Sequence, residues 1–258
     1  MNESILRVEG LRKSFGGLRA IDLLDFTVGR GGVKSIIGPN GAGKTTLFHL
    51  ITGIIPSSGG AVEFMGQSLD GLKPHAIARL GIARTFQNLE IFSNMTVWEN
   101  VMVGRHVQTV SGLFSAGLRF PRMRQEEREI KEKAWEELHF IGLEDKVQMN
   151  ASDLPLGEQK LLEIARALAM QPKLLLLDEP AAGLNMRETG HLSETILRIH
   201  ERGITVMLVE HDMNLVMEIS DEVLVLNYGK KIAEGPPREI QRNPEVIAAY
   251  LGEEMGDA

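Results

Sequence analysis

A mixed α/β fold with an inserted helical lobe is what this sequence predicts, and three observations predict it. A short apolar strand, Val33 to Ile37, runs into a glycine-rich loop, Gly38 to Gly43, and then into a helical pattern from Lys44 to Ile51 that Gly53 and Pro56 end. A second apolar strand, Leu174 to Leu177, ends in two acids, Asp178 and Glu179. Between the two, from about residue 93 to 158, helical periodicity replaces strand patterns.

Each element follows from local chemistry. From Ile5 to Val28 the pattern is strand-like: Leu24, Phe26 and Val28 alternate with Asp25 and Thr27, and Gly16-Gly17 and Gly31-Gly32 mark turns, so an antiparallel β start is expected. Residues 61 to 69 read as a further edge strand. In the middle stretch Ile130, Ala134, Leu138 and Ile141 fall on one helical face, with Glu127/Lys131 and Glu129/Lys133 pointing outward and Gly142 closing the helix. Alternation then resumes: helix Glu158 to Met170, strand Leu174 to Leu177, helix Thr189 to Arg202, strand Thr205 to Val209, and a hairpin of Val223 to Leu226 with Lys231 to Glu234. Helix, loop, helix is expected after Pro236.

Composition narrows the function classes. With 28 Lys and Arg against 35 Asp and Glu the net charge is −7, which argues against a simple basic polyanion binder, and no nucleic-acid partner is expected. The absence of cysteine excludes disulfides, thiol catalysis and Cys-based zinc. The longest apolar run, Val246 to Leu251, is far short of the roughly 20 residues a spanning helix needs, and the acidic N-terminus lacks a secretory pattern. A chain that does not cross the membrane is expected.

The loop Gly38-Pro39-Asn40-Gly41-Ala42-Gly43-Lys44-Thr45 matches G-x-x-x-x-G-K-S/T and stands between a buried strand and a helix, as the chemistry requires. Glycines let backbone N–H groups turn inward, so a nest of donors and the positive helix end meet the α and β phosphates of a nucleotide. Lys44 is expected to reach the β and γ phosphates, the Thr45 hydroxyl to ligate Mg²⁺, and Thr46 to add an α-phosphate contact. Acids at the carboxyl end of a parallel strand face the ligand crevice of an open α/β sheet. Asp178 would hold the Mg²⁺ and Glu179 would act as general base on water; read alone, the pair also suits a solvated strand end.

With these motifs in order, the sequence resembles the nucleotide-binding subunit of ABC transporters over nearly the whole chain. The resemblance implies a P-loop NTPase core, a RecA-like mixed sheet with an N-terminal antiparallel β subdomain, plus an inserted helical signature subdomain. One nucleotide-binding domain then covers 5–253: residues 1–92 and 159–253 form the ATP-binding core, 93–158 the helical subdomain, and 254–258 a tail. It implies ATP and Mg²⁺ as cofactors, and several site roles. Phe15 stands where the family stacks adenine, although a core Phe on an N-terminal strand would look the same. Gln87, in Arg84-Thr85-Phe86-Gln87-Asn88, matches the glutamine that contacts Mg²⁺ and the lytic water. His211, in Val209-Glu210-His211-Asp212, resembles the switch histidine that bonds the γ phosphate; read alone, it is also a solvated or capping histidine.

Leu154-Pro155-Leu156-Gly157-Glu158-Gln159 aligns with the family's signature segment, with Pro155 in place of the serine that bonds the γ phosphate. Gly157 and the following helix N-terminus keep a backbone anion site, although physics alone also accepts a Pro/Gly helix entry. Ala181-Ala182-Gly183-Leu184-Asn185 resembles the D-loop, with Asn where most members carry Asp. Together these look like the ATPase subunits of branched-chain amino-acid importers; urea and short-chain amide importers share much of the pattern. The resemblance implies integral-membrane permease subunits as partners, a second similar ATPase subunit or a homodimer, and indirectly a solute-binding protein. It places the chain peripherally on the cytoplasmic face of the plasma (inner) membrane.

Leu89, Ile91, Phe92 and Met95 are candidates for a permease-docking groove, or are simply core. Arg119, Arg122 and Arg124 form a locally basic segment that suits lipid headgroups, a permease loop or a solvated face. A GTPase or kinase is disfavoured, since no N-K-x-D motif is present. A soluble repair or translation ATPase would resemble tandem cassettes or long coiled coils, and a scaffold would be expected to lose Lys44 or Glu179.

Overall fold

The computed structural model describes residues 4–87, 89–106 and 121–254, except the side chains of 106, 121–127 and 251–254. Arg119 and the side chains of Arg122, Arg124 and Glu127 lie outside the described residues, as does most of the expected 254–258 tail.

Among the described residues the strands form two sheets. The first is antiparallel, in the order β2-β1-β4-β5, from β1 (Ser4–Phe15), β2 (Leu18–Gly29), β4 (Gly59–Phe64) and β5 (Gln67–Ser68). The expected β start is therefore one long hairpin. Leu24, Phe26 and Val28 are buried on its inner face while Asp25 and Thr27 are exposed, the period of two that their polarity pattern dictates. Residues 61 to 69 are not one strand, because Met65 and Gly66 turn the chain with positive φ and β5 folds back on β4.

The second sheet runs β10-β9-β3-β8-β7-β6, from β3 (Val33–Ile37), β6 (Ile82–Arg84), β7 (Leu174–Asp178), β8 (Thr205–Val209), β9 (Glu222–Asn227) and β10 (Lys230–Gly235). All its pairings are parallel except β9 with β10. Every residue of β3, β7 and β8 is buried, as expected of parallel strands covered on both faces. Lys34 in β3 is tolerated inside because its ammonium bonds the Thr27 carbonyl, Glu222 and Glu234.

Helix α1 (Lys44–Ile51) has the bounds its pattern predicts. The short α2 (Pro74–Leu80), β6 and α7 (Met213–Ile219) were not expected, being too brief for an apolar pattern to repeat often enough to stand out. The middle stretch holds α3 (Val97–His106) and α4 (Pro121–Phe140), and α5 (Leu156–Leu168) starts at its end. Ile130, Ala134, Leu138 and Ile141 are buried as predicted, and the last three share one apolar cluster with Leu175, Leu177, Val206 and Leu208 of the sheet.

Two helices start earlier than the apolar spacing suggests. α5 begins at Leu156, not Glu158, because Pro155 occupies its N-cap with φ −56° and aims the chain into the helix. α6 (Met186–Glu201) begins at Met186, not Thr189: Asn185 accepts hydrogen bonds from the N–H groups of Arg187 and Glu188, and Glu188 bonds back to the Asn185 N–H. Two further helices, α8 (Pro237–Ile240) and α9 (Pro244–Glu254), make up the expected C-terminal pair.

Candidate functional site

The sheet order decides where the predicted residues meet. β8 lies between β3 and β7, with Ile36 opposite Val209 and Asp178 opposite Val209, so the loops after these three parallel strands leave the same edge. The loop from Gly38 follows β3, Glu179 follows β7, and Glu210 and His211 follow β8. β6 pairs with β7 on the far side and delivers Gln87 to the same edge. There a cavity of about 470 Å³ is bordered by the loop residues from Asn40 to Thr46 and by Phe15, Gln87, Glu179, His211 and Tyr228.

The loop is held by close backbone approach. Gly38 has φ 148°, and a Cβ on it would lie 2.1 Å from the Leu226 carbonyl oxygen, so no side chain fits there. The Ala42 N–H donates to the Pro39 carbonyl at 3.1 Å, and the Ala42 carbonyl accepts from the Gly229 N–H at 3.0 Å. Lys44 is buried, with its ammonium bonded to the carbonyls of Gly38 (2.6 Å) and Pro39 (2.9 Å). No side chain caps the first turn of α1, so its N–H groups and the positive helix end face the cavity side of the loop. Thr45 and Thr46 stand in that turn.

Glu179 is the hub of the opposite wall. Its backbone takes a left-handed conformation, φ 49°, anchored by its N–H on the Val209 carbonyl at 2.9 Å. One carboxylate oxygen accepts from Gln87 Nε2 at 3.1 Å and the other meets His211 Nε2 at 3.0 Å. The three residues predicted from separate stretches of sequence thus form one hydrogen-bonded chain. Phe15 is 48% exposed on the cavity rim with the Lys13 ammonium 5.0 Å from its ring centre, so it is not a core residue.

Asp178 is fully enclosed. Its Oδ2 accepts from Arg84 Nη2 at 2.7 Å, while Oδ1 has no hydrogen-bond partner among the described residues. Asp178 does not itself line the cavity, but a buried carboxylate oxygen without a hydrogen-bond partner suits a hard cation.

Several residues with no predicted role support this arrangement. Arg84 packs between the rings of Phe48 and Phe86 as it reaches Asp178. Glu210 accepts from the N–H groups of Ala181 (2.7 Å) and His211 (2.9 Å), joining the loops after β7 and β8, and burial pushes its carboxyl pKa up. Lys160 on α5 donates to the Glu179 carbonyl at 3.2 Å. Glu163, also on α5, accepts from the Phe86 N–H at 3.1 Å, one residue before Gln87. A buried acid on an apolar helix face was the visible signal for Glu163. Arg84 stands in the Arg84-Thr85-Phe86-Gln87 stretch, but its partner lies on the neighbouring strand β7, distant in the chain.

Gly157 is not brought to this cavity. It is buried in the first turn of α5 and lines a separate cavity of about 320 Å³ with Pro155, Asn185 and Glu188. Glu158, whose charge stands at that helix start, is paired with Lys146. Of the docking candidates Leu89, Ile91 and Met95 are half-buried, Ile91 packing against the main apolar cluster, and Phe92 is 44% exposed. Among the described residues no group of three or more acids and histidines clusters as a metal site, and no helix is long and apolar enough to cross a membrane.

Known proteins share both the sequence and this architecture. The ABC transporter family profile matches residues 21–182, and a profile described as branched-chain amino acid ATP-binding cassette transporter matches residues 230–255. The high-affinity branched-chain amino acid transport ATP-binding protein LivG of Escherichia coli K12 is 45% identical over 254 residues, 98% of this chain and 100% of that protein. The corresponding protein BraF of Pseudomonas aeruginosa is 44% identical over the same shares of the two chains. A solved nucleotide-free ATP-binding cassette from an ABC transporter matches with a TM-score of 0.84 and 34% identity, over 96% of this chain and 99% of that one. The ADP conformation of an ATP-binding cassette of an ABC transporter matches with a TM-score of 0.83 and 33% identity, over 97% and 99%. With a family profile over more than half its length and full-length identity to such relatives, the chain belongs to the ABC transporter family, among the ATP-binding proteins that include LivG and BraF.

Proposed function

We infer that this chain is the ATP-hydrolysing subunit of an importer for branched-chain amino acids. The observation that carries the catalytic reading is the chain Gln87–Glu179–His211 facing the Lys44 loop across one cavity. Identity of 45% to LivG and 44% to BraF over 98% of the chain supports the solute.

In this reading the backbone N–H groups of the loop from Gly38 to Gly43 and the start of α1 bind the α and β phosphates. Lys44, fixed at the loop by two carbonyls, meets the β and γ phosphates, and Thr46 adds an α-phosphate contact. Phe15 offers its exposed face to adenine. The residues fit Mg²⁺: Asp178 has an open buried oxygen, Thr45 a hydroxyl in the first turn, and Gln87 keeps its amide oxygen while its Nε2 serves Glu179. When bound, the ion would neutralise charge on the β and γ phosphates.

Glu179 takes the proton of a water as its oxygen attacks the γ phosphorus, and the bond to the bridging oxygen breaks with its electron pair leaving on ADP. Gln87 and His211 each occupy one lone pair of a different carboxylate oxygen, so Glu179 is held in place and still has acceptor capacity for the proton of the water.

Gly157 lies in a different cavity from Lys44, so a site that uses both takes them from two subunits, either a homodimer or a closely similar partner. ATP draws the halves together and hydrolysis releases them. We assign one nucleotide-binding domain to 5–253, with 93–158 as its helical part, and integral-membrane permease subunits docked near Phe92 on the cytoplasmic face. A solute-binding protein acts indirectly. The test is uptake by the chain reconstituted with its permease in vesicles. ATP-dependent accumulation of radiolabelled leucine, isoleucine or valine is expected; accumulation of urea or a short amide instead would assign a different solute.

A further inference from the structure

The turn between β9 and β10 carries a residue that its backbone disfavours. It is a two-residue hairpin loop, Tyr228-Gly229, closed by the Asn227 and Lys230 pair. Both loop residues have positive φ, 45° and 76°, the conformation in which Asn-Gly or Gly-Gly is the usual choice. A bulky aromatic in the left-handed region is strained. Tyr228 gains nothing from packing in return, since it is 82% exposed. Strain at an exposed aromatic that borders a ligand cavity points to a ligand.

The hairpin is also fixed to the site. Gly229 donates its N–H to the Ala42 carbonyl of the phosphate-type loop at 3.0 Å and accepts from the Asp22 N–H of β2 at 2.9 Å. A Cβ at Gly229 would stand 2.6 Å from the Ala20 carbonyl oxygen, so the contact requires glycine. Tyr228 is thus held at a set position relative to both Lys44 and the strand hairpin that ends in Phe15. The two aromatics, from different sheets, border the same cavity.

We propose that Tyr228 is a second base-contacting residue, forming with Phe15 a two-sided aromatic slot for the purine ring of the nucleotide. This rests on reading the cavity as the nucleotide site, and it adds a residue contributed by the β9–β10 hairpin. The hairpin then reports base occupancy directly to Ala42 in the phosphate loop.

Calorimetric titration of the full chain with ATP and with inorganic tripolyphosphate tests it, using Tyr228→Asn, Tyr228→Phe and Phe15→Ala. Asn tolerates the left-handed turn, so Tyr228→Asn is expected to melt at or above the parent temperature. Its ATP affinity should fall about tenfold, the scale of a lost aromatic stack on a base, with tripolyphosphate affinity unchanged. Tyr228→Phe should bind ATP as the parent does. Unchanged ATP affinity in Tyr228→Asn, while Phe15→Ala loses ATP selectively, overturns the second wall and leaves the nucleotide site standing. Equal losses for ATP and tripolyphosphate in Tyr228→Asn overturn it too, by showing that the hairpin only braces the phosphate loop. Failure of the parent to bind either ligand removes the nucleotide reading itself.

Discussion

Arg84 donates a 2.7 Å hydrogen bond to Asp178 inside the protein, where their side chains are 5% and 0% exposed. The guanidinium, flanked by Phe48 and Phe86, occupies one carboxylate oxygen and leaves the other open. An ion pair in such surroundings is costly to break from one side, because the remaining charge stays buried. Arg84→Leu should therefore lower unfolding free energy by about 3–5 kcal/mol in urea titrations. A loss near zero would show that Asp178 finds another partner.

Glu179→Gln keeps one oxygen, able to accept from either Gln87 or His211, and cannot take a proton. Turnover should fall about 10²–10⁴-fold while ATP binding persists. Steady-state ATPase assays with parallel binding isotherms measure both, and hydrolysis near the parent rate removes Glu179 from the role of base.

Lys44→Ala removes the ammonium that the Gly38 and Pro39 carbonyls hold at the loop. Nucleotide affinity itself should drop, in contrast to Glu179→Gln. Equilibrium dialysis with ATP separates the two variants, and an undiminished affinity contradicts the phosphate-binding assignment.

Glu163 supplies a pH signature. Burial raises its carboxyl pKa above the ordinary 4.5, against smaller opposing effects from the Phe86 N–H and Arg166. The folded state therefore holds this proton after the unfolded chain has released it, and stability falls as pH rises from about 4.5 through the folded value. Glu163→Gln lacks that titration and keeps an oxygen for the Phe86 N–H. Unfolding free energies of both chains between pH 4 and 8 should diverge upward in favour of Gln. Parallel curves would mean that Glu163 titrates normally.

Local chemistry made much of the site readable. A strand, a glycine loop and Lys44 at a helix start are consecutive in the chain, so α1 and the loop were recoverable down to their residue bounds. The bounds of α5 and α6 were less so, since Pro155 and the Asn185–Glu188 box act through backbone geometry that apolar spacing does not register. Phe15 could be read as core or rim, and only its exposure at the cavity edge decided between them.

The sequence by itself determined which chemical groups exist and in what order: a glycine-rich loop, Lys44, Gln87, two acids after an apolar strand, and His211. Tertiary structure alone decided that Gln87, Glu179 and His211 touch, that Arg84 takes one oxygen of Asp178, that Tyr228 borders the same cavity as Phe15, and that Gly157 stands apart. The reason is strand order. Inserting β8 between β3 and β7 makes neighbours of loops that are far apart in the chain, and such non-local pairing is set by packing of the whole sheet, which no short window of residues encodes.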